Sequence, residues 1–301
     1  MRTNAPFSYA LQMNYDRHLL LAAVLALLFG PHVSAAPPRR HVKIPIIDAH
    51  THPEFHGDSK KRAEYLREWN EAGLVGAVGI LHTQNGQVPD VGGKNVLFCA
   101  GIVGPLQPAN IENGLKTHTY GCIKVYLGYE PYYASDPRYE PAYRLAEEYD
   151  VPVIFHTGDT DRASALLKYA DPLTIDEVAV AHPKVRFVIA HSGNPWIESA
   201  AEVAYKNPNV YLDGSAFLAG DLRKLPRSTV EMYMVRPLSW IFGYVEDPKK
   251  LMFGSDWPVT NIPSAVEAFK RAIPRKYWND VFFNNAVRVF KLNAHGVDHA
   301  K

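Results

Sequence analysis

Short apolar runs rich in β-branched residues recur along the chain and alternate with longer segments that carry apolar residues at helical spacing. Residues 44–47 are the first such run and are typical of a buried strand. Strands and helices that alternate in this way build a parallel sheet, so the pattern predicts an α/β protein. The predicted strands are residues 44–48, 74–82, 95–101, 121–127, 151–156, 185–191, 209–213 and 251–256.

The segments between these strands have helical patterns, chiefly at residues 60–72, 109–117, 137–150, 195–207 and 222–240. Ser59 and Asp136 are predicted to cap two of the helices, and Pro137 suits a first helical position. Strand–helix units in this number, within about 250 residues, match a (β/α)8 TIM barrel. We therefore predict one barrel domain over residues 44–294.

The N-terminal region has the pattern of a targeting segment. Residues 19–29 are apolar but too few to span a bilayer, Arg17 precedes them, and residues 33–35 are small enough for cleavage. We predict a signal peptide over residues 1–35, a flexible lead-in over residues 36–43, and export to the periplasm or the exterior. After cleavage we expect no stable membrane span; an uncleaved anchor is the alternative.

Composition narrows the class of partner. The 301 residues are 47% hydrophobic and 21% charged, and 32 basic residues nearly balance 31 acidic ones. This balance offers no electrostatic basis for binding nucleic acid, so we expect a small-molecule substrate; homo-oligomerisation is left open. Cys99 and Cys122 both fall in predicted strands. We expect two separate small buried side chains, with a disulfide as the alternative.

The first predicted strand leads into Asp48-Ala-His50-Thr-His52-Pro53. Side chains alternate along a strand, so His50 and His52 lie on one face, about 6–7 Å apart along the strand. Two imidazoles so placed can converge on one metal ion. The alternative is a pair of structural histidines beside the turn at Pro53.

Three other predicted strands lead to side chains of the same kind. His156, His191 and Asp256 each follow a short apolar run and precede Gly or Pro within two residues. A closed parallel barrel brings the carboxyl ends of its strands to one rim, where active sites lie. We therefore expect these side chains to share one site with the first two histidines.

At this level of detail the chain resembles the amidohydrolase superfamily, specifically its amidohydrolase-related branch of metal-dependent hydrolases and decarboxylases. The resemblance covers nearly the whole predicted mature chain. It rests on Asp48-Ala-His50-Thr-His52-Pro, Ile123-Lys124-Val-Tyr, His156-Thr-Gly, His191-Ser-Gly and Gly254-Ser-Asp256-Trp-Pro.

The resemblance implies that His50, His52, His156 and Asp256 hold one divalent metal. His191 matches the histidine that activates water or completes a second metal site. Three imidazoles and a carboxylate suit zinc, with manganese or iron(II) as alternatives. Asp256 is also expected to take the proton of the attacking water, and His191 to act as an acid or base.

Lys124 has two interpretations within this resemblance: a carboxylated bridge between two metals, or an unmodified ammonium that pairs with Asp256 or binds an anionic substrate. We favour the second. His82 and Tyr126 are expected to line the pocket. The leading hypothesis is hydrolysis of a small ester, lactone or amide, and the alternative is non-oxidative decarboxylation of an aromatic or unsaturated acid. A barrel that only binds would be expected to lack a ligand, and none is missing.

Overall fold

The computed structural model describes residues 44–292, so the predicted signal peptide, the lead-in and residues 293–294 lie outside the described residues. Within them, eight parallel strands form one sheet in chain order, each hydrogen-bonded to the next. This confirms the predicted strands and the (β/α)8 barrel. The strands are β1 Ile46–Thr51, β2 Leu74–Ile80, β3 Val96–Ile102, β4 Cys122–Val125, β5 Val153–Phe155, β6 Phe187–Ile189, β7 Val210–Asp213 and β8 Leu251–Met252.

Helices connect most of the strands and cover the outside of the sheet. They are α1 Ser59–Ala72, α2 Pro108–Lys116, α3 Glu140–Glu148, α4 Ile175–Ala181, α5 Ile197–Lys206, α6 Arg227–Val230, α7 Arg236–Tyr244, α8 Ile262–Ala272 and α9 Asn285–Phe290. In the described part of the chain, no helix is long and apolar enough to cross a membrane.

The two predicted helix caps have different outcomes. Asp136 is confirmed: its side chain accepts a hydrogen bond from the backbone of Arg138, at the start of a short 3₁₀ turn that leads into α3. The prediction that Ser59 caps a helix is wrong, because Ser59 is the first residue of α1. The cap is Asp58, whose carboxylate accepts from the backbone N–H groups of Lys60 and Lys61 at 2.9 and 3.0 Å.

Backbone hydrogen bonds join the first strand to the segment that follows the last one. Ala49 N donates to Phe253 O at 2.9 Å, and His52 N donates to Trp257 O at 2.7 Å. These bonds bring the ends of β1 and β8 together, which places the first predicted site motif beside the last.

Side chains that alternate along the strands divide the core into two parts. Residues such as Ile47, Ile80 and Val188 form the cluster inside the barrel. The intervening residues, such as Ile123 and Phe187, belong to the larger cluster that includes the helices. Successive side chains point to opposite faces of the sheet, and both faces are buried in this fold.

The expectation of two separate cysteines is wrong. Cys99 and Cys122 form a disulfide between β3 and β4. They are directly paired in the register of the two strands, and both are fully buried inside the barrel. Paired residues on neighbouring strands bring their Cβ atoms within bonding reach of a disulfide.

Candidate metal centre and active site

The carboxyl ends of β1 and β8 bring two histidines and an aspartate together. Asp256 Oδ1 lies 3.4 Å from His50 Nε2 and 3.2 Å from His52 Nε2. The rings of His50 and His52 are 5.4 Å apart between centroids. Strand alternation therefore directs both imidazoles to one point, as the spacing predicted.

Asp256 reaches that point because its backbone leaves the extended conformation. Its φ angle is 61°, in the left-handed region that aspartate tolerates better than most residues. Asp256 N donates to His50 O at 2.7 Å. The buried Asp48 carboxylate adds to this join by accepting from the backbone N–H of Ser255 at 2.9 Å and of His50 at 3.2 Å.

The second nitrogen of each of these two imidazoles is occupied by a protein acceptor. His50 Nδ1 donates to Asp213 Oδ2 at 2.9 Å, and His52 Nδ1 donates to the Ile80 carbonyl at 3.0 Å. With the protons on Nδ1, the Nε2 lone pairs are directed toward Asp256. Metal-binding histidines use their other nitrogen in the same way.

A second pair of histidines follows β5 and β6. His191 Nδ1 bonds Ser215 Oγ at 2.8 Å, and Ser215 donates to Asp213 Oδ1 at 2.5 Å, so the histidine is the donor to the serine. His156 Nε2 donates to the Asp159 carbonyl at 3.0 Å. The remaining nitrogens, His191 Nε2 and His156 Nδ1, therefore both present lone pairs and lie 3.2 Å apart. A cation or a proton between them would relieve their repulsion.

Burial favours the neutral form of three of these imidazoles, those of His52, His156 and His191. It lowers the pKa of His191 to about 3, and it lowers the pKa of His156 and of His52 as well. Burial by itself would raise the pKa of Asp256, but His191, His52 and His50 outweigh it and hold that pKa well below its usual range. Neutral imidazoles beside a carboxylate are the protonation states that a metal requires of its ligands.

The group formed by His50, His52 and Asp256 fits a divalent metal. His50 Nε2 and Asp256 Oδ1 are buried without a hydrogen-bond partner, and an orphaned buried acceptor is costly unless something binds it. Spacings of 3.2–3.4 Å match ligand atoms around a tetrahedral ion with bonds of about 2.0–2.1 Å. One possible ligand atom from each of His50, His52 and Asp256 lies within 4.8 Å of the other two. His156 lies against His191 instead, so its assignment to the same ion stays a prediction.

These side chains open into a cavity of about 430 Å³ at the carboxyl ends of the strands. Its lining includes the predicted pocket residues His82 and Tyr126, and also Tyr129 and Arg162. Lys124 also lines it, is only 1% exposed, and its Nζ has no hydrogen-bond partner. All of the sequence-predicted site residues except His50, which is fully buried behind the wall, thus line one cavity.

The electrostatic surroundings of Lys124 are those of a buried cation close to carboxylates. Burial lowers the pKa of Lys124 to about 8, and the negative charges of Asp213 and Asp256 oppose this shift. Its Nζ lies 5.4 Å from the centre of the Tyr126 ring. An ammonium in this position can receive an anionic group that enters the cavity.

Sequence reasoning missed the residues that orient the ligands. Asp213 was predicted only as the end of the seventh strand, yet it accepts hydrogen bonds from His50, Ser215 and the backbone of His191. The available signal was its position, since it ends a strand on the same rim as the histidines. Glu54 was also missed; it pairs with His82 and lies two residues beyond the His50–His52 motif.

The fold and this site define a class of protein: a (β/α)8-barrel enzyme with a candidate metal centre at the carboxyl ends of its strands. Comparison with known families narrows the class. The sequence model of the amidohydrolase family matches residues 57–292, and the chain belongs to this metal-dependent family.

Individual relatives are distant. Protein fluG of Emericella nidulans is 39% identical over 62 residues, which are 21% of this chain and 7% of the fungal protein. The structure of a probable 2-pyrone-4,6-dicarboxylic acid hydrolase from Acinetobacter baumannii, with citric acid bound, is similar at a TM-score of 0.59 and 17% identity, covering 82% of this chain and 100% of that one. The 2,6-dihydroxybenzoate decarboxylase from Rhizobium has a TM-score of 0.59 at 15% identity, covering 83% and 100%. At these identities the solved structures support the barrel fold alone.

Proposed function

We propose that this protein is a metal-dependent hydrolase of a small ester, lactone or amide. The observation that carries the proposal is the convergence of buried, unpartnered His50 Nε2 and Asp256 Oδ1 with His52 at the cavity. When bound, a divalent metal supplies a Lewis acid and lowers the pKa of a coordinated water toward about 7. Zinc is the expected ion, with manganese or iron(II) as alternatives.

The surrounding side chains divide the remaining work. Asp256 lines the cavity with a carboxylate that can accept the proton of the attacking water. His191 is held through its Nδ1 by Ser215 and Asp213, so its Nε2 is presented to the cavity in a fixed direction. From there Nε2 can accept the proton that the attacking water loses and then pass that proton to the leaving group. Family membership and the Acinetobacter baumannii hydrolase support this chemistry.

A turnover screen tests the proposal. Purified protein is stripped with a chelator, reloaded separately with zinc, manganese or iron(II), and assayed against small lactones, esters and amides. We expect hydrolysis that depends on the added metal and is lost on chelation. Absence of hydrolysis by every metal form across the panel, with carbon dioxide released from an acid instead, would contradict it.

Lys124 favours a second candidate function, non-oxidative decarboxylation. A buried ammonium without a partner can clamp the carboxylate of an aromatic or unsaturated acid beside the metal ligands. The Rhizobium decarboxylase supports this alternative. Measuring carbon dioxide release from aromatic acids with wild type and Lys124→Met separates the two reactions, since the clamp is required only where the reacting group is a carboxylate.

We also propose that the protein is exported, with residues 1–35 removed. A disulfide between Cys99 and Cys122 supports this, since disulfides persist mainly in oxidising compartments. N-terminal sequencing of native protein should find the mature start near Ala36. An intact Met1 or Met13 would contradict export by cleavage. The proposed partner is a small-molecule substrate.

A further inference from the structure

A glutamate and a histidine form a pair on the cavity wall beside the metal ligands. Glu54 Oε1 accepts from the backbone N–H of His82 at 3.1 Å, and Glu54 Oε2 lies 2.5 Å from His82 Nδ1. The glutamate side chain is 13% exposed and the histidine side chain 48%. Both oxygens of one carboxylate thus hold a single residue, which fixes the position and rotation of the imidazole.

Two aromatic rings lie against the His82 ring. The His52 ring stacks on it at 5.1 Å with an interplanar angle of 27°, and the Tyr126 ring stacks at 4.9 Å with an angle of 20°. Tyr126 is itself held by its hydroxyl, which donates to the Leu81 carbonyl at 3.0 Å. These two rings and the Glu54 carboxylate together hold the His82 ring in one orientation on the cavity wall.

The polar atom left on the edge of the His82 ring is Nε2. Because the Glu54 carboxylate accepts the Nδ1 proton, Nε2 is the ring nitrogen that remains able to hydrogen-bond a group of the substrate. His82 lines the same cavity as Lys124 and Asp256. His82 stacks directly on His52, a candidate metal ligand, so any group that His82 binds lies close to the reacting bond.

We propose that Glu54 and His82 form a recognition pair for a hydroxyl group of the substrate, in which His82 Nε2 hydrogen-bonds the hydroxyl and Glu54 positions the ring. The proposal rests on the proposed function, since it describes the substrate of the same site. It assigns the substrate a hydroxyl close to the group that reacts. A polar ring nitrogen held in one direction on the cavity wall favours substrates with a hydroxyl over analogues that lack it.

Binding of small probes tests this independently of turnover. The probes are benzoate and its 2-, 3- and 4-hydroxy derivatives, which combine a carboxylate for Lys124 with a hydroxyl at three spacings. Dissociation constants are measured by calorimetry on zinc-loaded protein. We expect at least one hydroxybenzoate to bind wild type about three- to tenfold more tightly than benzoate, the size of one net hydrogen bond.

Variants then assign the preference to the pair. His82→Phe keeps a flat ring beside His52 and Tyr126 but removes Nε2, so it should abolish the preference while benzoate affinity and zinc content stay unchanged. Glu54→Ala should also abolish it, and Glu54→Gln should weaken it, because the single amide oxygen can accept from only one of the two N–H groups that the carboxylate binds. His56→Asn is the matched control, because it alters another imidazole of the cavity lining and should keep the full preference.

Three results would overturn the proposal: no hydroxybenzoate preferred by wild type, a preference that survives in His82→Phe, or one that is also lost in His56→Asn. A loss of zinc in His82→Phe with equal weakening of all four probes would overturn it as well, because His82 would then only support His52. If the preference depends on His82 while the turnover screen finds no hydrolysis, the proposed reaction fails and the recognition pair stands.

Discussion

Two of the site residues have backbone conformations that most residues avoid. His191 has φ 60° and Asp256 has φ 61°. Such conformations cost about 1–3 kcal/mol each and persist where the surroundings determine them. Asp213 Oδ1 accepts from His191 N at 3.1 Å, and His50 O accepts from Asp256 N at 2.7 Å. These bonds turn both side chains toward the cavity.

Removing a candidate metal ligand should remove the metal and leave the fold intact. We expect His52→Ala to weaken zinc binding by more than about 100-fold, because even loss of a partner that only orients a ligand costs 10–100-fold. Metal analysis after dialysis, with circular dichroism for the fold, measures this. His182→Ala, in a histidine that contacts Glu140 and lies outside the cavity lining, is the control. A full equivalent of zinc in His52→Ala would reject the ligand assignment.

The His191→Ala variant shows whether His191 is a catalytic group or a metal ligand. If His191 works on water or substrate, His191→Ala should keep the metal and lose about 10² to 10⁴ in rate. kcat should fall more than KM rises, because the lost interaction belongs to the transition state.

The opposite result, loss of metal in His191→Ala, would have a structural explanation in the contact between His191 Nε2 and His156 Nδ1. If His191→Ala loses metal in proportion to activity, the two imidazoles hold an ion of their own and the centre is binuclear. Metal content and kcat measured on the same preparations decide between these outcomes.

Lys124 should carry no modification. Lys124 faces the cavity and Asp213 and Asp256 are near enough to favour its charge, so an unmodified ammonium here can bind an anionic substrate without carboxylation. We expect an unmodified mass for the peptide that contains Lys124 and about one metal per chain, as for a single site with an open position. Two metals per chain together with a carbamate on this lysine would show that it bridges them.

Helix α1 begins where a side chain satisfies its first backbone donors. Asp58 accepts from Lys60 N and Lys61 N, whereas Ser59, within the helix, makes no such bond. Asp58→Ala should therefore lower the free energy of unfolding by about 1 kcal/mol. Ser59→Ala should change it far less. Urea unfolding of the two variants checks this, and equal losses would contradict the assignment of the cap.

The loops after β5 and β6 approach each other closely, which holds their two histidines together. Gly158 has φ +86°, and a Cβ at this position would lie 2.1 Å from the Asn194 carbonyl oxygen. Asp159 N donates to that same carbonyl at 2.9 Å. Glycine is required because only it combines this conformation with so close an approach. The predicted strand at residues 251–256 is shorter in the structure and ends at Met252, and Asp256 lies beyond it with its backbone in the left-handed region.

The whole barrel depends on contacts between distant parts of the chain, and the disulfide adds a covalent one. Cys99→Ala/Cys122→Ala should lower the free energy of unfolding by about 3–4 kcal/mol, the loop-closure value for a separation of 23 residues. Urea unfolding of the oxidised wild type and of the double variant measures the difference. Thiol titration of denatured wild type is the control and should find no free cysteine. Two free thiols in native exported protein would contradict the bond.

The sequence by itself determined the order of strands and helices and the side chains that end the strands. Both follow from local rules, since apolar β-branched runs form strands and His50, His52 and Asp256 stand where those runs end. All of the predicted strands were therefore found, although several end earlier than predicted.

Only the tertiary structure decided which of those side chains meet and how each is held. The register of β3 against β4 places Cys99 opposite Cys122, and the alternation of a single strand contains no information about its neighbour's register. The tautomers of His50 and His191 are likewise set by Asp213 and Ser215, which are more than 20 residues away from both histidines along the chain. Hydrogen bonds of this kind exist only after the barrel closes, so no local pattern predicts them.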